Sequence, residues 1–145
     1  MQVKLLSGVL GAEIDGINLK DISAKNFKVI NNLLLEHKFL FLRNQHITSE
    51  EQIALAKCFG SLERHVYVKK IIDMEKKESD EILSKVFAHQ ERLDFTCRCQ
   101  WTKNAVAIWD NRSVIHQGLT DFFPGRGLGY ERIMDRIAIE SDRPN

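Results

Sequence analysis

The sequence predicts an α+β fold, with helices backing a sheet or barrel. Two observations carry this reading. Three helix-periodic segments come first and a run of short strands comes last, the order expected when helices and strands segregate. No repeat or linker divides the chain, and its only prolines are Pro124 and Pro144. A single domain over 1–145 is expected, and 145 residues suffice to bury about 68–70% of the extended-chain surface.

The first helix is expected over about Ala24–Lys38, with Phe27, Ile30, Leu33, Leu34 and His37 along one face. The second opens on a capping box, Thr48 with Glu51, and turns Ile53, Ala56 and Phe59 inward. It stops at Gly60, which accepts the left-handed conformation of a helix end. The third starts near Ser79, with Asp80 and Glu81 suited to the positive end of the dipole and an apolar face of Ile82, Leu83, Val86 and Phe87. Phe39–Leu42 is wholly apolar, as a buried strand requires. Asp94–Trp101 alternates: Phe95, Cys97, Cys99 and Trp101 face one way, Thr96, Arg98 and Gln100 the other. Thr102-Lys103-Asn104 then turns into a strand over Ala105–Trp109. Further strands are expected at Ser113–Gly118 and, after the glycine-rich loop Pro124–Gly129, at Arg132–Ile139.

Hydrophobic residues make up 43% and charged residues 28%, with net charge +1, so neither nucleic acid nor an anionic membrane is an expected partner. No apolar run approaches the ~20 residues of a membrane span. Met1–Glu13 does not fit a signal peptide. Three cysteines without zinc spacing fit reduced thiols and a cytoplasmic location.

Arg132 and Arg136 are four residues apart, so on a strand both guanidinium groups leave the same face. Such a pair can receive two carboxylate or sulfonate groups bidentately. The alternative is structural ion pairing with Asp110, Asp121, Glu131 or Asp135. His116 follows Trp109-Asp110-Asn111-Arg112 and is either a metal ligand or an ordinary histidine. Gly125-Arg126-Gly127-Leu128-Gly129 lacks the Lys-Ser/Thr of a phosphate loop, and Cys97-x-Cys99 reads as two core thiols.

Several of these words together resemble the taurine dioxygenase (TauD/TfdA) family of Fe(II)/2-oxoglutarate dioxygenases. They are Ala107-Ile108-Trp109-Asp110-Asn111-Arg112, His116, Asp121-Phe122, Arg132-Ile133-Met134-Asp135-Arg136 and Asp142-Arg143-Pro144. Gly11–Gly16, Glu36–Gln45 and Ala54–Leu62 resemble the family's opening strand, its Arg-x-Gln passage and the helix that follows. Glu78–Gln90 resembles a later helix. The resemblance implies a double-stranded β-helix (jelly-roll) with flanking helices. It implies an oxidoreductase that uses Fe(II) and 2-oxoglutarate to hydroxylate a small organic acid or sulfonate. It makes His116 the second iron histidine and Arg132 the arginine for the distal carboxylate of 2-oxoglutarate. Arg136 and His65 fall on the substrate side. The loop 124–129 is longer than the family's, which bears on the pairing of the two arginines.

The family's early His-x-Asp/Glu pair has no counterpart here. The sequence steps from His65 to Val66 across the early barrel, so the resemblance implies an internal deletion near 65–66. His89-Gln90-Glu91 falls at a helix end, outside the iron site, as do His37 and His46. One imidazole does not hold iron in a defined geometry, so an inactive chain is expected. The alternative is a non-catalytic remnant that binds an oxyanion, or pairs as a homo- or hetero-oligomer through open strand edges. Phe95, Trp101, Ile108 and Trp109 are then candidates for exposure, and marginal stability is expected.

Overall fold

The computed structural model describes residues 1–20, 22–62, 71, 73–117 and 134–140. Its centre is the strand expected at Phe39–Leu42. Leu40, Phe41 and Leu42 are each fully buried, which four consecutive apolar residues permit only when both faces of the strand are covered.

Three other strands form around it: β1 (Gln2–Leu5), β2 (Ala12–Asp15) and β4 (Val106–Trp109), with Phe39–Leu42 as β3. The sheet order is β1-β2-β3-β4. β2 runs parallel to β3 with Ala12 opposite Leu40, and β4 runs antiparallel with Ile108 opposite Leu40. β1 pairs antiparallel with β2, Val3 opposite Ile14. A parallel pair needs a long crossover, and helix α1 (Ala24–His37) supplies it.

Ser23 caps α1 by accepting the Asn26 N–H at 3.2 Å. Lys38, at φ 65°, ends it in the left-handed region. The turn into β3 is then held from both sides: Gly11 N–H donates to the His37 carbonyl at 2.9 Å and Asp110 N–H to that of Lys38 at 3.2 Å. Ile30 and Leu34 of α1 join Ala12, Ile14, Leu19, Leu40, Leu42 and Leu55 in the core. Each buried Leu or Ile among them contributes about 1.5–3 kcal/mol by leaving water.

The chain leaves β3 through Arg43 and Gln45. Gln45 is buried, and its amide is fully used. Oε1 accepts the Leu19 N–H at 2.9 Å, and Nε2 donates to the carbonyls of Ile17 (3.0 Å) and Arg43 (2.9 Å). Arg43 forks onto Glu13 at 2.9 and 3.2 Å and reaches the Gln100 carbonyl and Thr102 Oγ1 at 3.2 Å each. These bonds tie β2, β3 and the approach to β4 together.

Helix α2 (Ser49–Phe59) has the expected capping box of Thr48 and Glu51. Its inward residues are Leu55 and Ala56, while Ile53 is exposed. The core lies on one side only, and the helix rolls to meet it. Gly60 sits at φ 155°, ψ −170°, not in the expected left-handed helical region. That conformation is open essentially to glycine alone. A Cβ there would lie 3.1 Å from Ile139 Cγ2.

Helix α3 spans Lys76–Gln90, beginning before the expected Ser79. Ser79 is instead fully buried inside its first turns, accepting the Ile71 N–H at 3.0 Å. The expected inward face is largely uncovered, with Ile82, Val86 and Phe87 all exposed. Among the described residues, three expected strands are not formed. Asp94–Trp101 is a short 3-10 turn, Leu93–Phe95, followed by extended chain without a ladder. Ser113 closes a turn and 114–117 is irregular, while Gly118 lies outside the described residues. In Arg132–Ile139 the described part pairs only at Ile139, opposite Leu62. A strand pattern becomes a strand only where a neighbour offers a ladder. The alternation of 95–101 still holds: Cys97, Cys99 and Trp101 are half-buried while Thr96, Arg98 and Gln100 are exposed. Phe95 is exposed, whereas Ile108 and Trp109 are half-buried. Among the described residues, no helix is long and apolar enough to cross a membrane.

Replacing Gln45 with Ala leaves the buried Leu19 N–H without its acceptor. Urea unfolding should then show a loss of about 1–3 kcal/mol, against near-neutrality for an exposed control such as Gln117→Ala.

Candidate functional site

β4 ends at Trp109 and the chain reverses at once. Ser113 and Val114 N–H groups return to the Asp110 carbonyl at 2.9 and 3.0 Å. The Asp110 carboxylate accepts the Arg112 backbone N–H at 3.0 Å and both arms of its guanidinium, each at 2.9 Å. The Arg112 hydrogen bonds hold the Asp110 carboxyl below its ordinary range, against the opposing effect of burial. Asp110, one of the four acidic partners expected for the arginine pair, is thus engaged by Arg112.

The reversal carries His116 back over the strand end. Its ring lies 4.8 Å from the Trp109 ring, tilted by 53°. Trp109 Nε1 donates to Asn111 Oδ1 at 2.8 Å, which fixes the indole. Arg136 reaches the same indole from far along the chain, its guanidinium carbon 5.9 Å from the ring centroid, within the range of a cation–π contact. The segment bearing Arg136 is anchored on the end of α2: Glu140 N–H donates to the Ser61 carbonyl at 2.7 Å, beside the Leu62–Ile139 bridge.

Two of the four site residues expected from sequence, His116 and Arg136, therefore meet at one tryptophan, and both are exposed. Arg132 and His65 lie outside the described residues, as does the shared face expected of Arg132 with Arg136. His89, at the end of α3, packs on Phe95 at 4.9 Å. His46 Nδ1 lies 3.0 Å from the Asn104 side-chain amide. His37 lies 3.9 Å from the Glu36 carboxylate.

An iron centre of the 2-His-1-carboxylate kind needs three donors on one face of the metal. Among the described residues, no three His, Cys, Asp or Glu side chains cluster to hold an ion. The described residues do not fit such a centre. What they offer is one imidazole and one guanidinium beside an aromatic face, which can bind and orient an anion. Sequence reasoning missed Trp109 as the platform that joins them. Its signal was an aromatic at a strand end, directly before the turn that returns His116. It also missed Gln45, whose burial follows from its place directly after the buried strand.

Comparison with known proteins gives a consistent picture. The family described as taurine catabolism dioxygenase TauD, TfdA family matches residues 2–73 and 66–137. An alkylsulfatase of Acinetobacter baylyi is 42% identical over 67 residues, 45% of this chain and 21% of that protein. An alpha-ketoglutarate-dependent sulfate ester dioxygenase of Pseudomonas putida is 26% identical over 117 residues, 81% of this chain but only 34% of the relative. The chain thus spans about a third of one relative's length and about a fifth of the other's over the matched stretches. A solved structure of AAD-2 in complex with Mn(II) and N-oxalylglycine superposes with a TM-score of 0.68 at 13% identity, covering 78% of this chain and 88% of that one. A taurine dioxygenase from Burkholderia xenovorans gives 0.66 at 17%, covering 77% and 81%. At these identities the two structures show the fold alone.

The depressed Asp110 carboxyl fixes the sign of one pH effect. Stability from this pair is fully present above the unfolded carboxylate's pKa, about 3.9, and is lost as pH falls through the lower folded value. The stability difference between wild type and Asp110→Asn, read by urea melts, should be flat above about pH 5 and shrink toward pH 3.

Proposed function

The chain belongs to the taurine catabolism dioxygenase TauD, TfdA family, and from that premise we propose that it is an internally shortened relative that binds oxyanions and does not oxidise them. In full-length relatives the resemblance implies oxidative hydroxylation of a small organic acid or sulfonate with Fe(II) and 2-oxoglutarate. Here His116 stands for the late iron histidine, Arg132 for the 2-oxoglutarate arginine, and Arg136 and His65 for the substrate side. The early His-x-Asp pair has no counterpart, so no oxidative step is assigned to this chain.

The observation that carries the reading is the meeting of His116 and Arg136 on Trp109. Arg136 would accept a carboxylate or sulfonate as a charge-assisted fork, with His116 as a second polar contact and the indole excluding water from one side. The single domain over 1–145, with its junction near 65–66, is supported by the two family matches, which overlap at 66–73. On this reading the four-stranded sheet is the surviving part of a jelly-roll. Three free cysteines suit a cytoplasmic setting.

An anaerobic titration of the full chain with Fe(II) and 2-oxoglutarate should give no saturable metal-to-keto-acid band. A band that disappears in His116→Ala would show that another pair completes the iron site and that the chain is a working centre. In calorimetric titration with 2-oxoglutarate or a short alkyl sulfonate, Arg136→Ala should weaken binding about tenfold or more. Equal binding by wild type and variant would remove Arg136 from the role.

A further inference from the structure

Outside the Trp109 site, the described residues that concentrate reactive chemistry are Cys97 and Cys99. They sit on the extended segment that follows the 3-10 turn Leu93–Phe95. Two residues apart on extended chain, their side chains leave the same face. Both are half-buried rather than sealed in a core, and each thiol shifts the titration of the other. Room for the first sulfur exists because position 11 is glycine: a Cβ there would lie 3.1 Å from Cys97 Sγ.

We propose that Cys97 and Cys99 form a thiol–disulfide exchange site for low-molecular-weight disulfides such as glutathione disulfide. The Cys97 thiolate attacks one sulfur of the external disulfide. One S–S bond breaks, a mixed disulfide forms, and one small thiol leaves with a proton from solvent. Cys99, deprotonated in turn, attacks the Cys97 sulfur and releases the second small thiol. The protein loses two hydrogens and the external disulfide gains them, so the exchange balances without a metal or another cofactor.

The surroundings favour this order of attack. The hydrogen bond from Cys99 stabilises the Cys97 thiolate and lowers its pKa to about 7 despite partial burial. The same bond, then burial and the charge on Cys97, push the Cys99 thiol up; Arg43 opposes that rise and Glu13 adds to it. An accessible low-pKa thiol beside a resolving partner is the arrangement of redox-reactive cysteines. The product would be easy to reduce. Residues two apart on extended chain have Cα atoms about 6.6 Å apart, at the upper limit for a disulfide, so closure strains the bond and raises its potential. Residues 96–101 form no ladder, which leaves the segment able to contract.

The reduced full-length chain would be incubated with glutathione disulfide at pH 7, quenched with an alkylating agent and mapped by trypsin. Cleavage at Arg98 separates the two cysteines unless a disulfide joins them, so the linked pair identifies itself. Cys99→Ser should trap glutathione on Cys97. At pH 7 a thiol with the lowered pKa carries roughly fifteenfold more thiolate than an ordinary one, and its lower intrinsic nucleophilicity takes back about fivefold. Cys97 should therefore react roughly threefold faster in the native chain than in urea. Glutathione confined to Cys58, with Cys97 and Cys99 recovered unlinked, would overturn the proposal. So would a native rate no faster than that of the unfolded chain.

Discussion

Everything described in this molecule hangs on the strand Phe39–Leu42, whose last three residues are fully buried. A strand without a polar side chain is stable only with both faces and both edges supplied. β2 arrives on one edge in parallel and β4 on the other antiparallel. The first pairing requires a crossover, hence α1. The second must close a loop of more than sixty residues between β3 and β4, a loss of chain entropy that grows only slowly with length. A long or a shortened intervening segment therefore serves nearly alike, provided the β4 sequence still matches β3. A chain that matches only 21% and 34% of two curated relatives' lengths can therefore still hold such a sheet.

What was legible in the sequence follows from the same constraint. Helices α1 and α2, strand β3, the Thr102–Asn104 turn and β4 are encoded locally, by caps, periodicity and an apolar run. Each also finds its tertiary partner, so expectation and structure agree. Asp94–Trp101 and Arg132–Ile139 carry strand patterns as clear as that of β4, yet the described residues of neither form a strand. Alternation specifies which faces are apolar, and that part survives at Cys97, Cys99 and Trp101. It does not supply a neighbour. The face of α3 shows the same division: Ile82, Val86 and Phe87 are placed at helical spacing, as expected, and remain exposed.

The site was legible as residue types but not as an arrangement. Spacing marked His116 and the arginine pair; it could not reveal that Trp109 joins His116 to Arg136, because the two lie twenty residues apart and meet only through tertiary folding. Two separate anchors bring them there: the Asp110–Arg112 fork braces the reversal that returns His116, and the Glu140–Ser61 bond beside the Leu62–Ile139 bridge holds the segment of Arg136. Family resemblance identified the same two residues from an independent direction, which is why their convergence carries more than either alone.

On the proposed reading, in which a barrel has lost its middle, function divides by how far apart its participants lie. The oxidation implied by the resemblance needs donors from early and late segments to meet at one ion, so losing either half would remove the whole activity. Anion binding depends on fewer groups: one guanidinium with an aromatic wall keeps most of its attraction without the opposite side of the pocket. Thiol exchange depends on less still, since both sulfurs come from one tripeptide and need only β2 and β3 beneath them. On that reading, the chemistry that would survive truncation is that whose participants are close in sequence or rest on the sheet that β3 holds together.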